Sequence, residues 1–113
     1  MCIMEAYVTD LSTIKAKRVM SVEVMYRKIL LVYVDGEVYA IEDRCPHLGV
    51  SLENGYLDNK VIKCKDHGLA ISLETGKVIR EQQADYFRLS KNDRTIQTYQ
   101  VLIKSGKVHI LME

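Results

Sequence analysis

Ile29-Leu30-Leu31-Val32-Tyr33-Val34-Asp35-Gly36-Glu37-Val38-Tyr39-Ala40-Ile41 is the stretch that decides the fold. Asp35-Gly36 lies between two β-rich runs and supplies the positive φ angles of a type I′ turn. The expected hairpin sets Val34 opposite Glu37 and Val32 opposite Tyr39. Upstream, Arg18-Val19-Met20-Ser21-Val22-Glu23-Val24 alternates in part, as a half-buried strand does. Downstream, Asn54-Gly55 and Asp58-Asn59 mark turns around Tyr56-Leu57, and Val61-Ile62-Lys63 is a further short strand. Ala70-Ile71-Ser72-Leu73 alternates before a turn at Glu74-Thr75-Gly76-Lys77, after which Val78-Ile79 resumes the strand. A closing hairpin runs from Ile96 to Lys104, turns at Ser105-Gly106 and returns from Lys107 to Met112. Residues 80–95 fit one or two helical turns, and neither caps nor periodicity decide it. Many short strands between turns predict an all-β chain, built as an antiparallel sandwich or barrel-like domain.

Bulk properties set limits. A chain of 113 residues fits a single domain (residues 1–113), and 48% hydrophobic and 27% charged residues are near the average for globular domains. A net charge of +1 argues against a general nucleic-acid binder, which needs a strongly basic face. No apolar run reaches the roughly 18–20 residues of a membrane span, and Met1-Cys2-Ile3-Met4-Glu5 lacks a basic and apolar leader pattern. The expectation is a soluble, cytoplasmic protein without membrane insertion.

Three cysteines are an odd count, unsuited to a disulfide framework and more in keeping with ligands or catalytic thiols in a reducing compartment. Cys2 stands far from the other two and reads as a bystander. Cys45-Pro46-His47 follows the hairpin, and Cys64-Lys65-Asp66-His67-Gly68 follows the Val61-Ile62 strand. Sixteen residues, 48 to 63, separate the two pairs. One buried Cys alone reads as a small hydrophobe, and one His alone as an ordinary hydrogen-bonded group. Two Cys/His pairs, each in a loop at a strand end, point instead to Cys45, His47, Cys64 and His67 as metal ligands. Structural zinc accepts such a ligand count, but its usual spacing pairs Cys with Cys and His with His. A Rieske [2Fe–2S] centre gives one iron two Cys and the other two His, which suits two loops offering one of each.

On Cys-x-His, the sixteen-residue gap and Cys-x-x-His, the sequence resembles the Rieske ferredoxin family. The resemblance extends over Asp35–His47, Leu48–Leu52, Cys64–Val78 and the closing Tyr99–Val101 and Gly106–Val108. It implies a Rieske-like antiparallel β-sandwich with a small cluster-binding subdomain, about residues 43–80, made of two ligand loops. It also implies one [2Fe–2S] cluster as cofactor, with Cys45 and Cys64 on the inner iron and His47 and His67 on the outer, more exposed one. Two ferric ions, two sulfides and two thiolates cancel in charge, so an added electron meets less negative charge than with four thiolates. Such centres span roughly −150 to +300 mV.

High-potential members carry a disulfide between the loops, at positions held here by Val50 and Asp66, and hydroxyl donors at positions held here by Leu69 and Ile71. Their absence points to a low-potential, ferredoxin-like centre. Many members have Trp where this chain has Asp66, and a proline-containing loop over the cluster. Pro46 is the only proline here, so the chain departs from the family in that loop, and Gln82-Gln83-Ala84-Asp85 is a candidate for the cover that the sequence itself does not single out. Outside the ligands no acid/base pair or nucleophile constellation is evident, since Ser72 and Ser90 have no nearby His, and Cys2 and His109 lie far apart. The resemblance implies an electron carrier rather than an enzyme, taking electrons from a flavin-dependent or other reductase and passing them to an oxygenase or similar acceptor. Arg44, Lys63 and Lys65 flank the ligands and either favour an acidic partner or are ordinary solvated charges. A reductase small subunit of the nitrite reductase type and a zinc-stabilised binding module are the competing readings.

Overall fold

The computed structural model describes residues 3–46, 49–65, 68–79, 88–89 and 94–112. The described elements are β1 (Met4–Asp10), α1 (Leu11–Lys17), β2 (Val19–Val24), β3 (Arg27–Val34), β4 (Glu37–Glu42), β5 (Tyr56–Asp58), β6 (Val61–Lys63), β7 (Ala70–Ser72), β8 (Thr98–Tyr99), β9 (Val101–Lys104) and β10 (Lys107–Met112). They form three antiparallel sheets, ordered β1-β10-β9, β2-β3-β4-β8 and β5-β6-β7. Among the described residues no helix is long and apolar enough to cross a membrane.

Strand β3 explains the unbroken apolar run from Ile29 to Val34. Ile29 and Leu31 point into one hydrophobic cluster, with Ile14, Val38, Ala40, Val108, Ile110 and Met112. Leu30, Val32 and Val34 point to the opposite face, into a second cluster with Ile41, Cys45, Leu52, Ile62, Cys64, Leu69 and Ile71. Side chains alternate along a strand, so a strand covered on both faces must be apolar at every position. Each fully buried aliphatic chain contributes about 1.5–3 kcal/mol over an exposed one. The four-stranded sheet is thus the middle layer, with the terminal strands on one face and the two Cys/His loops on the other.

The expected hairpin has the expected register, Val34 opposite Glu37 and Val32 opposite Tyr39. Two other expectations need correction. The stretch from Ile96 to Lys104 is not one strand: Thr98 and Tyr99 pair with β4, whereas Val101–Lys104 pairs with β10. The chain changes sheets at Gln100, whose carbonyl accepts the Leu111 N–H at 3.0 Å. Val78 makes only an isolated bridge to Ile71 rather than resuming a strand. The backbone is turned there by Gly76, at φ +76° with its carbonyl accepting the Ile96 N–H.

β1 and α1 were not expected. A register shift between Tyr7 and Thr9 breaks the alternation of β1. Asp10 is a good N-cap type, but its carboxylate accepts the Tyr7 hydroxyl at 2.9 Å and makes no cap bond. The seven-residue helix is held instead by the full burial of Ile14. A helix this short owes its stability to packing rather than propensity.

Four hairpins turn on two residues: β2–β3, β3–β4, β5–β6 and β9–β10. Three carry turn-forming residues, Asp35-Gly36, Asn59-Lys60 and Ser105-Gly106. The fourth is Met25-Tyr26, with φ +51° and +66°. The left-handed region costs a side-chain-bearing residue about 1–2 kcal/mol.

Candidate metal centre

The first Cys/His loop leaves β4 at Glu42 and the second joins β6 to β7. Their backbones close in the same way. In the first, the Cys45 N–H donates to the Val50 carbonyl at 2.7 Å and the Gly49 N–H donates to the Cys45 carbonyl at 2.7 Å. In the second, the Cys64 N–H donates to the Leu69 carbonyl at 3.0 Å and the Gly68 N–H donates to the Cys64 carbonyl at 2.8 Å. Each loop thus starts at a Cys and turns on a Gly four residues later. Gly49 and Gly68 sit at φ +72° and +65°, where a glycine has no Cβ to strain.

Both thiols are buried, Cys45 at 0% and Cys64 at 2% exposure, and both belong to the cluster that covers the second face of β3. The fold places two soft donors, 19 positions apart in sequence, in one buried apolar cluster. Thiolates of this kind are the ligands that iron–sulfur clusters use. His47 and His67 lie outside the described residues, as do Asp66, Cys2 and Gln82–Asp85. Among the described residues no group of three or more His, Cys, Asp or Glu side chains forms a metal site. Leu69 and Ile71 are fully buried and apolar, in keeping with positions that donate no hydrogen bond. Val50 is 42% exposed, and its carbonyl closes the first loop.

Asp43 was missed as a functional residue. It is only 5% exposed, and its carboxylate accepts three bonds of 2.7 Å, from the hydroxyls of Ser21 and Ser51 and from the Leu52 N–H. Ser21 adds a backbone bond to Glu53 Oε2 at 2.8 Å, so β2 grips the first loop on both sides. Glu42 takes the Arg44 guanidinium at 2.7 Å and the Gln97 N–H at 3.2 Å. The signal that could have found part of this frame is the Cys-x-x-x-Gly spacing shared by both loops.

Three antiparallel sheets carry two alike, cysteine-headed loops over one core, and two thiols so placed are the kind of ligand an iron–sulfur cluster uses. A family model for the Rieske [2Fe-2S] domain matches residues 4–100, and the chain belongs to that family, whose members carry a Rieske-type [2Fe–2S] cluster. The 3-phenylpropionate/cinnamic acid dioxygenase ferredoxin subunit of Photorhabdus laumondii is 35% identical over 83 residues, 73% of this chain and 70% of that protein. Among solved structures, the terminal oxygenase of carbazole 1,9a-dioxygenase from Novosphingobium sp. KA1 superposes with a TM-score of 0.78 at 27% identity. That match covers 94% of this chain and 29% of the oxygenase chain. The reduced complex between oxygenase and ferredoxin in carbazole 1,9a-dioxygenase gives 0.77 at 22% identity, over 94% of this chain and 27% of that one. The chain therefore spans under a third of the length of these solved chains, and the last likeness speaks for the fold alone.

Proposed function

We propose that this chain is a low-potential ferredoxin that moves single electrons from a flavin-dependent or other reductase to an oxygenase or similar acceptor in the cytoplasm. The observation that carries it is the pair of buried thiols, Cys45 and Cys64, on two loops of one backbone design. A bound [2Fe–2S] cluster supplies a centre that takes up and releases one electron at a time. In this reading Cys45 and Cys64 hold the inner iron, and His47 and His67 hold the outer iron. Residues of about 43–80 form the subdomain that carries the cluster within a single domain.

The chain's own residues do the rest. Leu52, Ile62, Leu69 and Ile71 keep water from the thiol side. The repeated Gly N–H to Cys carbonyl bonds fix both cysteine backbones, so little rearrangement accompanies a change of charge. Neutral imidazoles raise the potential relative to four thiolates, whereas the apolar Leu69 and Ile71 lower it by donating nothing to the sulfurs. The dioxygenase ferredoxin named for the Photorhabdus relative supports an oxygenase as acceptor.

Iron and acid-labile sulfide analysis with a visible spectrum tests this reading. About two irons and two sulfides per chain, with bands that bleach on reduction, are expected. Zinc without sulfide refutes it. A midpoint above about +100 mV refutes the low-potential part, within the roughly −150 to +300 mV open to such centres.

A further inference from the structure

The two-residue turn at Met25-Tyr26 has no role in the core, yet it holds two bulky side chains in the left-handed region. Tyr26 is 98% exposed and Met25 53%. A two-residue hairpin turn requires positive φ at both positions, and here two bulky, exposed side chains take them up at a cost in stability. Tyr26 also lines a groove of about 430 Å³ with Arg27, Lys28, Glu42, Asp43, Arg44 and Gly49, so the turn and the first Cys/His loop border one surface. Val50, next in that loop, is 42% exposed.

Charge tells what fits there. Asp43 turns its carboxylate inward to Ser21, Ser51 and Leu52, and Glu42 is occupied by Arg44 and the Gln97 N–H. Glu23 stands opposite Lys28 across β2–β3. Even so, among the described residues neither Arg27 nor Lys28 forms an ion pair. With a net charge of only +1, any attraction of an acidic surface must be local.

We propose that the Met25–Lys28 turn and the groove beside Gly49 form the docking face for an acidic redox partner protein, with Tyr26 as the apolar anchor and Arg27 and Lys28 as the charged rim. An aromatic anchor within a charged rim is the usual composition of a binding hot spot. The proposal rests on the carrier reading above and adds the side from which the partner approaches. On docking, one electron passes from the reduced holoprotein to a ferric acceptor, which becomes ferrous, with no bond made or broken.

The test uses reduced holoprotein, stopped-flow mixing, and two haem acceptors of opposite charge, acidic cytochrome b5 and basic cytochrome c. The wild type is expected to reduce cytochrome b5 at a rate that falls steeply with salt. R27E/K28E slows that reaction roughly tenfold at low salt and speeds the reaction with cytochrome c. M25N/Y26G keeps the hairpin with turn-forming residues, slows cytochrome b5 severalfold and leaves the visible spectrum unchanged. Amide shift changes in ¹⁵N-labelled protein on adding cytochrome b5 centre on residues 25–28 and 49. Rates within twofold of wild type in both variants, no exchange with cytochrome b5, or shift changes elsewhere overturn the docking face. A protein without iron–sulfur absorbance instead overturns the carrier reading beneath it.

Discussion

The loop after β4 and the loop after β6 close on the same pattern of Cys and Gly, yet different forces hold them in place. The second is a hairpin connection: Lys63 pairs with Ala70 and Ile62 with Ile71 on its two sides, so a strand ladder fixes both ends. The first has a strand only where it begins. Beyond Val50 the chain runs to Gly55 without ladder partners, and the Asp43 carboxylate replaces the missing ladder with bonds to Ser21, Ser51 and Leu52. The same local shape can be secured by a ladder or by one buried carboxylate. The second solution concentrates the dependence on a single side chain.

That contrast can be broken or sharpened by substitution. The largest effect is shared by both loops: Cys45→Ser and Cys64→Ser each abolish bound iron and the visible bands, as metal analysis of the purified protein would show. Retention of iron in either variant removes that cysteine from the ligand set. Next comes the asymmetry. Asp43→Ala leaves two hydroxyls and one buried N–H without their acceptor, and should lower stability by about 2–4 kcal/mol in urea unfolding. Among the described residues of the second loop, Cys64, Lys65, Gly68 and Leu69, none is a carboxylate that could act in this way. If Asp43→Ala is neutral, the first loop is not held by its carboxylate.

Gly55→Ala acts between the loops, because its Cβ would lie 2.4 Å from the Lys63 carbonyl and 3.0 Å from the Leu52 carbonyl. The exit of the first loop would have to move off β6, at about 1–3 kcal/mol. The smallest effect tests the shared design. A Cβ at Gly49 or Gly68 meets nothing within 4 Å, so only the positive φ matters. Gly49→Ala and Gly68→Ala should each cost about 1–2 kcal/mol, and nearly equally. Unequal urea midpoints would show that the two turns are alike in outline only.

The parts of the fold that were legible in the sequence are those where local chemistry and tertiary demand agree. Asp35-Gly36 fixed the central hairpin because its turn type and its apolar flanks ask for the same register. The sheet change at Gln100 was hidden because Ile96 to Lys104 keeps a strand-like pattern through the switch, and only the choice of partner differs. α1 was hidden because Asp10 spends its carboxylate on Tyr7, so the capping signal is absent from the structure too. At the site, the four candidate ligands stood out because Cys and His are scarce and paired. Asp43 did not, since an Asp before a loop looks like any solvated charge until the fold buries it. Met25-Tyr26 was missed for the opposite reason: nothing in those residue types announces a tight turn.

Strand β3 ties the two ends of the molecule into one unit of opening. From Ile29 to Val34 its odd-numbered side chains pack with the terminal strands and its even-numbered ones with the core that holds both cysteines. Neither core can open while the other stays closed around β3. The amides from Ile29 to Val34 should therefore exchange with solvent only through global unfolding, more slowly than the rest of the chain. A partner pulling at the loops would meet the stability of the entire sheet rather than that of a hinged cap.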